Sequence, residues 1–206
     1  LLCASSPAAA QDPPPRIGPF VFDLHATIPR FPKDDPALAQ SRGLQVADLP
    51  GAGLGLHGGV HFYPFSWKVV TFGVGVDATA ARASRASRQL GENFFSTATT
   101  ATLLHAAPQL SLNFGDGDGW SYLSGGMGPS VWALVPDGLE RTDADIERLQ
   151  TINYGGGGRW FIKPHLAFSL DVRFYAIYPG SPSAVTGRPG SPRTTLLFIG
   201  AGISLK

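Results

Sequence analysis

Ten polar side chains carry the chemistry this sequence could perform: Asp23, His25, His57, His61, Asp77, His105, Gln109, Arg159, Asp171 and Arg173. Carboxylates, imidazoles and guanidiniums sharing one interior could relay a proton, gate a pore or hold a metal. Spacing decides among these. His57 and His61 are four residues apart, which on a helix would clamp zinc but on a strand separates them by roughly 13 Å. They cannot ligate one ion together. A mixed cluster with His25 and His105 would have to form across neighbouring strands about 4.8 Å apart. Hydrogen-bonded interior histidines are the simpler expectation, and no metal or cofactor is assigned. His105, Ser111 and Asn113 share a face, as the His and Ser of a lipid hydrolase would. They lie too far apart to hydrogen-bond, so no catalytic residue is assigned. The Asp-Gly-Asp-Gly within 115–119 starts like a calcium loop but lacks the later ligand positions and the closing glutamate. Turn chemistry accounts for it. The glycine-rich stretches at 51–59 and 155–158 precede no helix, so they are not phosphate loops.

A period of two positions these residues. In 165–177, Leu166, Phe168, Leu170, Val172, Phe174 and Ala176 form one row, and His165, Ala167, Ser169, Asp171, Arg173 and Tyr175 the other. Strict alternation over about a dozen residues is a single long strand. Ile152, Tyr154 and Trp160 alternate with Asn153 and Arg159 just before it, and 161–164 is short enough to be a hairpin turn. The same pattern predicts strands at about 17–28, 53–63, 68–81, 99–114, 120–132 and 194–206. Their connections alternate long (29–51, 82–98, 133–151, 178–193) with short (64–67, 115–119, 161–164). Eight strands of roughly ten to thirteen residues exceed the usual five or six. Alternating short turns and long loops are expected of a membrane barrel.

Composition agrees with that expectation. Charged residues are 15% of the 206 residues, against roughly 25% in ordinary soluble domains. The net charge of +1 excludes a simple electrostatic nucleic-acid partner. No apolar run is long enough for a membrane helix. Residues 1–10, with Ala8, Ala9 and Ala10 before Gln11, read as the remnant of a signal peptide. Residues 11–16 read as a periplasmic leader, and 17–206 as the barrel. Cys3 is the single cysteine, and Leu2 before it argues against lipid modification. Without disulfides, sheet and membrane must supply the stability.

Which face meets lipid follows from the second row. A soluble lipocalin-like barrel would expose Lys, Glu and Gln. Here the second row is Gly, Ser, Thr, Asn, His and Asp with two arginines, which suits a narrow eight-stranded lumen. Phe65, Trp67, Phe114, Trp120, Trp132, Trp160 and Phe161 lie near strand ends, as interfacial girdles do. The expected fold is all-β: an eight-stranded antiparallel up-and-down transmembrane β-barrel with a lipid-facing apolar exterior and a small, polar, filled lumen. Inside it the ten residues should pair as a network, because an isolated buried charge is costly. A plug that fixes strand register is expected rather than a proton path.

The eight alternating strands and the stretches NFGDGDGWSYLSGG, NYGGGGRWF and HLAFSLDVRFYAI resemble the small outer-membrane β-barrel domain family, the OmpA/OmpX/OmpW-like barrels, over 17–206. The resemblance implies a monomer in the bacterial outer membrane. Its partners would be outer-membrane lipid, lipopolysaccharide and the outer-membrane assembly machinery. Its role would be structural or surface-interacting, without catalysis. Alternatives are a narrow pore for small or hydrophobic solutes, as in OmpW-like barrels, and a lipid-modifying enzyme. One departure is the end Leu205-Lys206, where such barrels carry an aromatic residue; Phe198 is the nearest. Arg82, Arg85 and Arg88 fall in the second long connection. They could bind lipopolysaccharide phosphates, or pair with Asp137, Glu140, Asp143, Asp145 and Glu147 of the third connection to close the top.

Overall fold

A computed structural model describes residues 18–115, 119–137, 145–182 and 187–206. The expected signal-peptide remnant over 1–10, the expected leader over 11–16, Ile17, the middle of the Asp-Gly turn, and Glu140, Arg141 and Asp143 lie outside them. Eight long strands form the wall: β1 (Phe20–Arg30), β2 (Leu54–Trp67), β3 (Val70–Arg85), β6 (Thr99–Phe114), β7 (Gly119–Pro136), β8 (Ile146–Lys163), β9 (Leu166–Ile177) and β10 (Thr194–Leu205). Two short strands, β4 (Gln89–Gly91) and β5 (Phe94–Phe95), make a small hairpin in the β3–β6 connection. Each wall strand pairs antiparallel with its neighbour, and β1 pairs with β10 from Phe22 opposite Leu205 to Arg30 opposite Leu197. The sheet closes on itself and leaves no edge to template another chain.

The two rows separate as the periodicity requires. Phe22, Leu24, Leu56, Val76, Leu104, Leu123, Phe168, Val172 and Ile203 are exposed on the outside. Asp23, His25, His57, Asp77, His105, Asn153, Arg159, Asp171 and Arg173 are buried inside. Among the described residues no helix is long and apolar enough to cross a membrane.

Element ends differ from the sequence expectation in ways that have physical causes. Residues 64–67 are not a turn; β2 runs on to Trp67 past a register shift between Phe62 and Phe65. Pro64 fits there because proline lacks the N–H that a regular ladder position requires. β3 continues to Arg85, pairing Arg82 with Thr102 and Arg85 with Thr99, so both arginines belong to a strand, not a connection. β7 and β8 likewise extend into the expected third connection, placing Glu147 and Arg148 on β8. The wall strands are 11 to 18 residues long; β2, β3, β7 and β8 run past the alternation, while β6 keeps its expected ends and β1, β9 and β10 are no longer than expected.

The first connection is not a plain polar link. Asp35 caps a short helix, α1 (Pro36–Ser41), by accepting a hydrogen bond from the Leu38 N–H at 3.0 Å, and proline sits in the first turn where no N–H is needed. A 3-10 turn follows at Val46–Asp48, with the Gln45 N–H donating to Asp48 at 2.8 Å. These pieces carry Phe31, Leu38, Ala39 and Leu49 over the mouth at the long-connection end. There they pack with inward side chains of the wall, including Leu103, Trp132, Leu134, Tyr175, Leu196 and Phe198. Phe31 stacks obliquely on Trp132 at 5.6 Å between ring centres. The barrel therefore holds a small apolar core of its own, under a cap.

That core corrects the girdle reading. Phe65, Trp67 and Trp160 do face outward, but Trp132 is 1% and Trp120 3% exposed. Trp132 anchors the cap. Trp120 packs on Phe161 at 4.5 Å near the opposite end, with the Lys206 ammonium 4.4 Å from its ring centre.

Candidate functional site: the buried polar lumen

All ten polar residues singled out above point into the barrel, and the structure arranges most of them in two connected ion clusters. The first centres on Arg159 of β8. Its Nε donates to Asp23 Oδ1 at 2.9 Å, its Nη2 to Asp23 Oδ2 at 2.7 Å and its Nη1 to Asn113 Oδ1 at 2.9 Å. This is the two-pronged match of guanidinium to carboxylate. The guanidinium also lies 4.0 Å from the centre of the Tyr122 ring. The Ser204 hydroxyl donates to Asp23, and His61 Nδ1 lies 3.7 Å from it.

The second cluster centres on Arg173 of β9. Nε donates to Asp171 at 3.2 Å, Nη2 to Ser124 Oγ at 2.8 Å, and Nη1 is 3.4 Å from Asp77 Oδ2. Both Asp77 oxygens also accept from Asn153 Nδ2, at 2.9 and 3.0 Å, and His57 Nε2 lies within hydrogen-bond distance of Oδ2 at 3.3 Å. Gln109 Nε2 donates to Asn153 Oδ1 at 2.7 Å. The Tyr122 hydroxyl donates to Asp171 at 2.7 Å while its ring faces Arg159, so one tyrosine joins the clusters.

Register explains why these groups meet. Gly157 stands opposite Asp171, and Gly155 opposite Arg173. A Cβ on Gly157 would come within 1.9 Å of the Leu170 carbonyl oxygen, and one on Gly155 within 2.3 Å of that of Val172. The Gly155–Gly158 run therefore lets β8 lie close against β9. It also leaves interior volume for the Arg173 and Tyr122 side chains.

Toward the capped end the groups are neutral or histidine. His57 and His25 stack with Nδ1 atoms 3.4 Å apart, and His25 Nε2 is 2.8 Å from Ser169 Oγ. His105 meets Ser130 Oγ at 2.9 Å, and Ser130 donates to Thr151 at 2.7 Å. A His–Ser contact thus exists, but with Ser130; Ser111 instead lies 3.0 Å from the Tyr63 hydroxyl. His25 and His57 come together, while His61 belongs to the Asp23 cluster and His105 lies against Tyr175. Among the described residues no three His, Cys, Asp or Glu side chains converge as a metal site.

Tyr122, Asn113, Ser124, Asn153, Ser169 and Ser204 complete the clusters and were not among the ten. The parity of their strands placed them inward; nothing in the sequence said which carboxylate each would reach.

The outer arginines separate. Arg82 faces outward and is exposed, as is Arg88 in the β3–β6 connection. Arg85 turns to the cap and donates to the Leu49 carbonyl at 2.7 Å. The pairing expected between these arginines and the acidic third connection does not occur at the described residues. Glu147 accepts from Arg42 of the cap, and Asp145 accepts from Arg188 of the fourth connection at 2.9 Å. The Asp137 carboxylate accepts from the Thr100 hydroxyl at 2.7 Å. Distance along the chain concealed this: Arg42 and Glu147 are 105 residues apart.

No family model matches the sequence, and no curated protein matches it. Among solved structures the chain is similar to Neisserial surface protein A, NspA, with a TM-score of 0.57 and 11% identity, over 92% of this chain and 97% of that one. It also aligns with Ail, the attachment invasion locus protein of Yersinia pestis, with a TM-score of 0.46 and 11% identity, over 90% and 97% of the two chains. The closed ring, its up-and-down order and the likeness to NspA define the class. This chain has the fold of the small eight-stranded outer-membrane β-barrels.

Proposed function

We propose that this protein spans a bacterial outer membrane as a monomer and acts there as a structural or surface-interaction barrel, without a catalytic site. One observation carries the reading: an exposed apolar wall surrounds an interior filled with paired ions and covered by an apolar cap. In water that wall would be a very large exposed apolar patch; in lipid it is the expected surface. Closure of the sheet leaves no strand edge for a second copy, which supports the monomer. The two ion clusters span the lumen side chain to side chain, which supports a plug over the narrow-pore alternative. His105 and Ser130 lie inside the wall beneath the cap, where a lipid substrate has no approach, which disfavours the lipid-modifying alternative. Assembly would use the outer-membrane machinery, and the exposed Arg82 and Arg88 would face lipopolysaccharide, with Arg85 committed to the cap. Expression in a Gram-negative host tests the reading. The protein should fractionate with the outer membrane, require detergent for extraction, and migrate differently on a gel before and after boiling. A water-soluble protein with unshifted migration would overturn it.

A further inference from the structure

The lipid-facing wall is not uniform. Between His105 opposite Ser130 and Gln109 opposite Gly126, the β6–β7 ladder is interrupted. Pro108 and Pro129 fall in that gap, and neither has an N–H to contribute. Outside this seam, Gly58, Ala78, Ala106 and Pro129 form the floor of two adjoining apolar hollows of about 770 and 600 Å³. Bulkier rows border it: Leu56 and Leu104 on one side, Val60 and Val76 on the other. Arg148, which pairs in register with Val131, stands at the end of this trough.

Arg148 also lines a third hollow of about 680 Å³ beside the fourth connection, together with Gln150, Tyr178, Arg188, Arg42 and the Arg42 partner Glu147. Arg148 is exposed and has no carboxylate partner among the described residues. Arg42 is only 6% exposed, and its Nε–H has no hydrogen-bond acceptor there. Arg148 thus belongs both to a hollow lined by three arginines and one glutamate and to the apolar trough. From β2 to β8 the trough crosses four interstrand spacings, about 19 Å, a span suited to a fatty acyl chain.

We infer that this is a binding site for one phosphorylated outer-leaflet glycolipid, the lipid A part of lipopolysaccharide. A head-group phosphate meets the exposed Arg148 guanidinium beside the largely buried Arg42–Glu147 pair, and one acyl chain lies along Ala78, Ala106 and Pro129. The hollow is at the long-connection end, and in membrane barrels the longer loops are the extracellular ones; the inference rests on the membrane reading proposed above. Charge complementarity selects an anionic head, and the adjoining trough selects one that carries a chain.

Native mass spectrometry of the full chain in detergent, titrated with bisphosphorylated lipid A, tests the site. The protein should retain one lipid A. Arg148→Gln should weaken retention about tenfold, and dephosphorylated lipid A should bind the unaltered protein equally weakly. Ala106→Phe and, as a second filling variant on another strand, Ala78→Phe should weaken it comparably by occupying the trough. Lys33→Gln in the first connection should change nothing. If the variants keep the heat-dependent gel shift and bind lipid A as the unaltered protein does, the site is wrong while the membrane barrel stands. Equal retention of phosphatidylglycerol would overturn the assignment to lipid A. A protein that needs no detergent and shows no shift would remove the membrane reading itself.

Discussion

Arg159 is completely buried, and each of its three nitrogens has an acceptor. Such a group stabilises only while its partners are present, because removing one leaves the other charge desolvated. Asp23→Leu should therefore lower stability to urea in detergent micelles by about 3–5 kcal/mol. The double variant Asp23→Leu, Arg159→Met should recover much of that loss, since it leaves no orphan charge in this pair. Equal losses in single and double variants would mean that the ion pair does not organise this part of the lumen. Gly157→Ala is the complementary test. The added methyl would collide with the Leu170 carbonyl, so the heat-shifted folded form should decline although no polar contact is removed. At this scale the sequence was informative about which residues face inward. Asp23, Asp77, Asp171, Arg159 and Arg173 follow from parity alone, but Tyr122 as the link between clusters does not. Its role depends on how far a phenol reaches across the lumen, and a period of two carries no such distance.

Among the elements, the alternating strands were legible because a half-buried surface writes itself into every second residue. The Thr99–Phe114 strand was readable to its ends, since Thr99 and Phe114 are both still paired. Val70–Arg85 was not: the pattern weakens at Ala81, Ala83 and Arg82, and pairing with the next strand carries it on. The cap was hidden for a different reason. Its apolar residues Phe31, Leu38 and Leu49 are sparse among prolines and charges, and they gain a core only by meeting Trp132, Tyr175 and Phe198 from the distant wall. Trp132 consequently looked like an interfacial residue. Leu38→Ala should reduce the free energy of cap opening by about 2–5 kcal/mol. Hydrogen exchange should quicken at 36–49 and leave the wall strands protected. Uniform acceleration over the wall would mean that cap and barrel open as one unit.

For the whole molecule, closure and polarity act together. Eight strands leave an interior just wide enough for side chains, and here arginine–aspartate clusters occupy its middle while the cap covers one end. The outside is apolar where a lipid bilayer would lie. Val76→Arg, an outward change near the middle of its strand that touches none of the ion clusters, should destabilise the bilayer-inserted barrel by about 2–4 kcal/mol. A negligible change would argue that this face meets water. Whether a membrane-spanning barrel has a filled interior can be read from planar-bilayer recording of the purified protein, with insertion verified by the heat-dependent gel shift. Inserted protein should show no single-channel steps. Reproducible steps that change in size on Arg159→Met or Arg173→Met would contradict it, because they would show ions passing where the two clusters are said to fill the lumen.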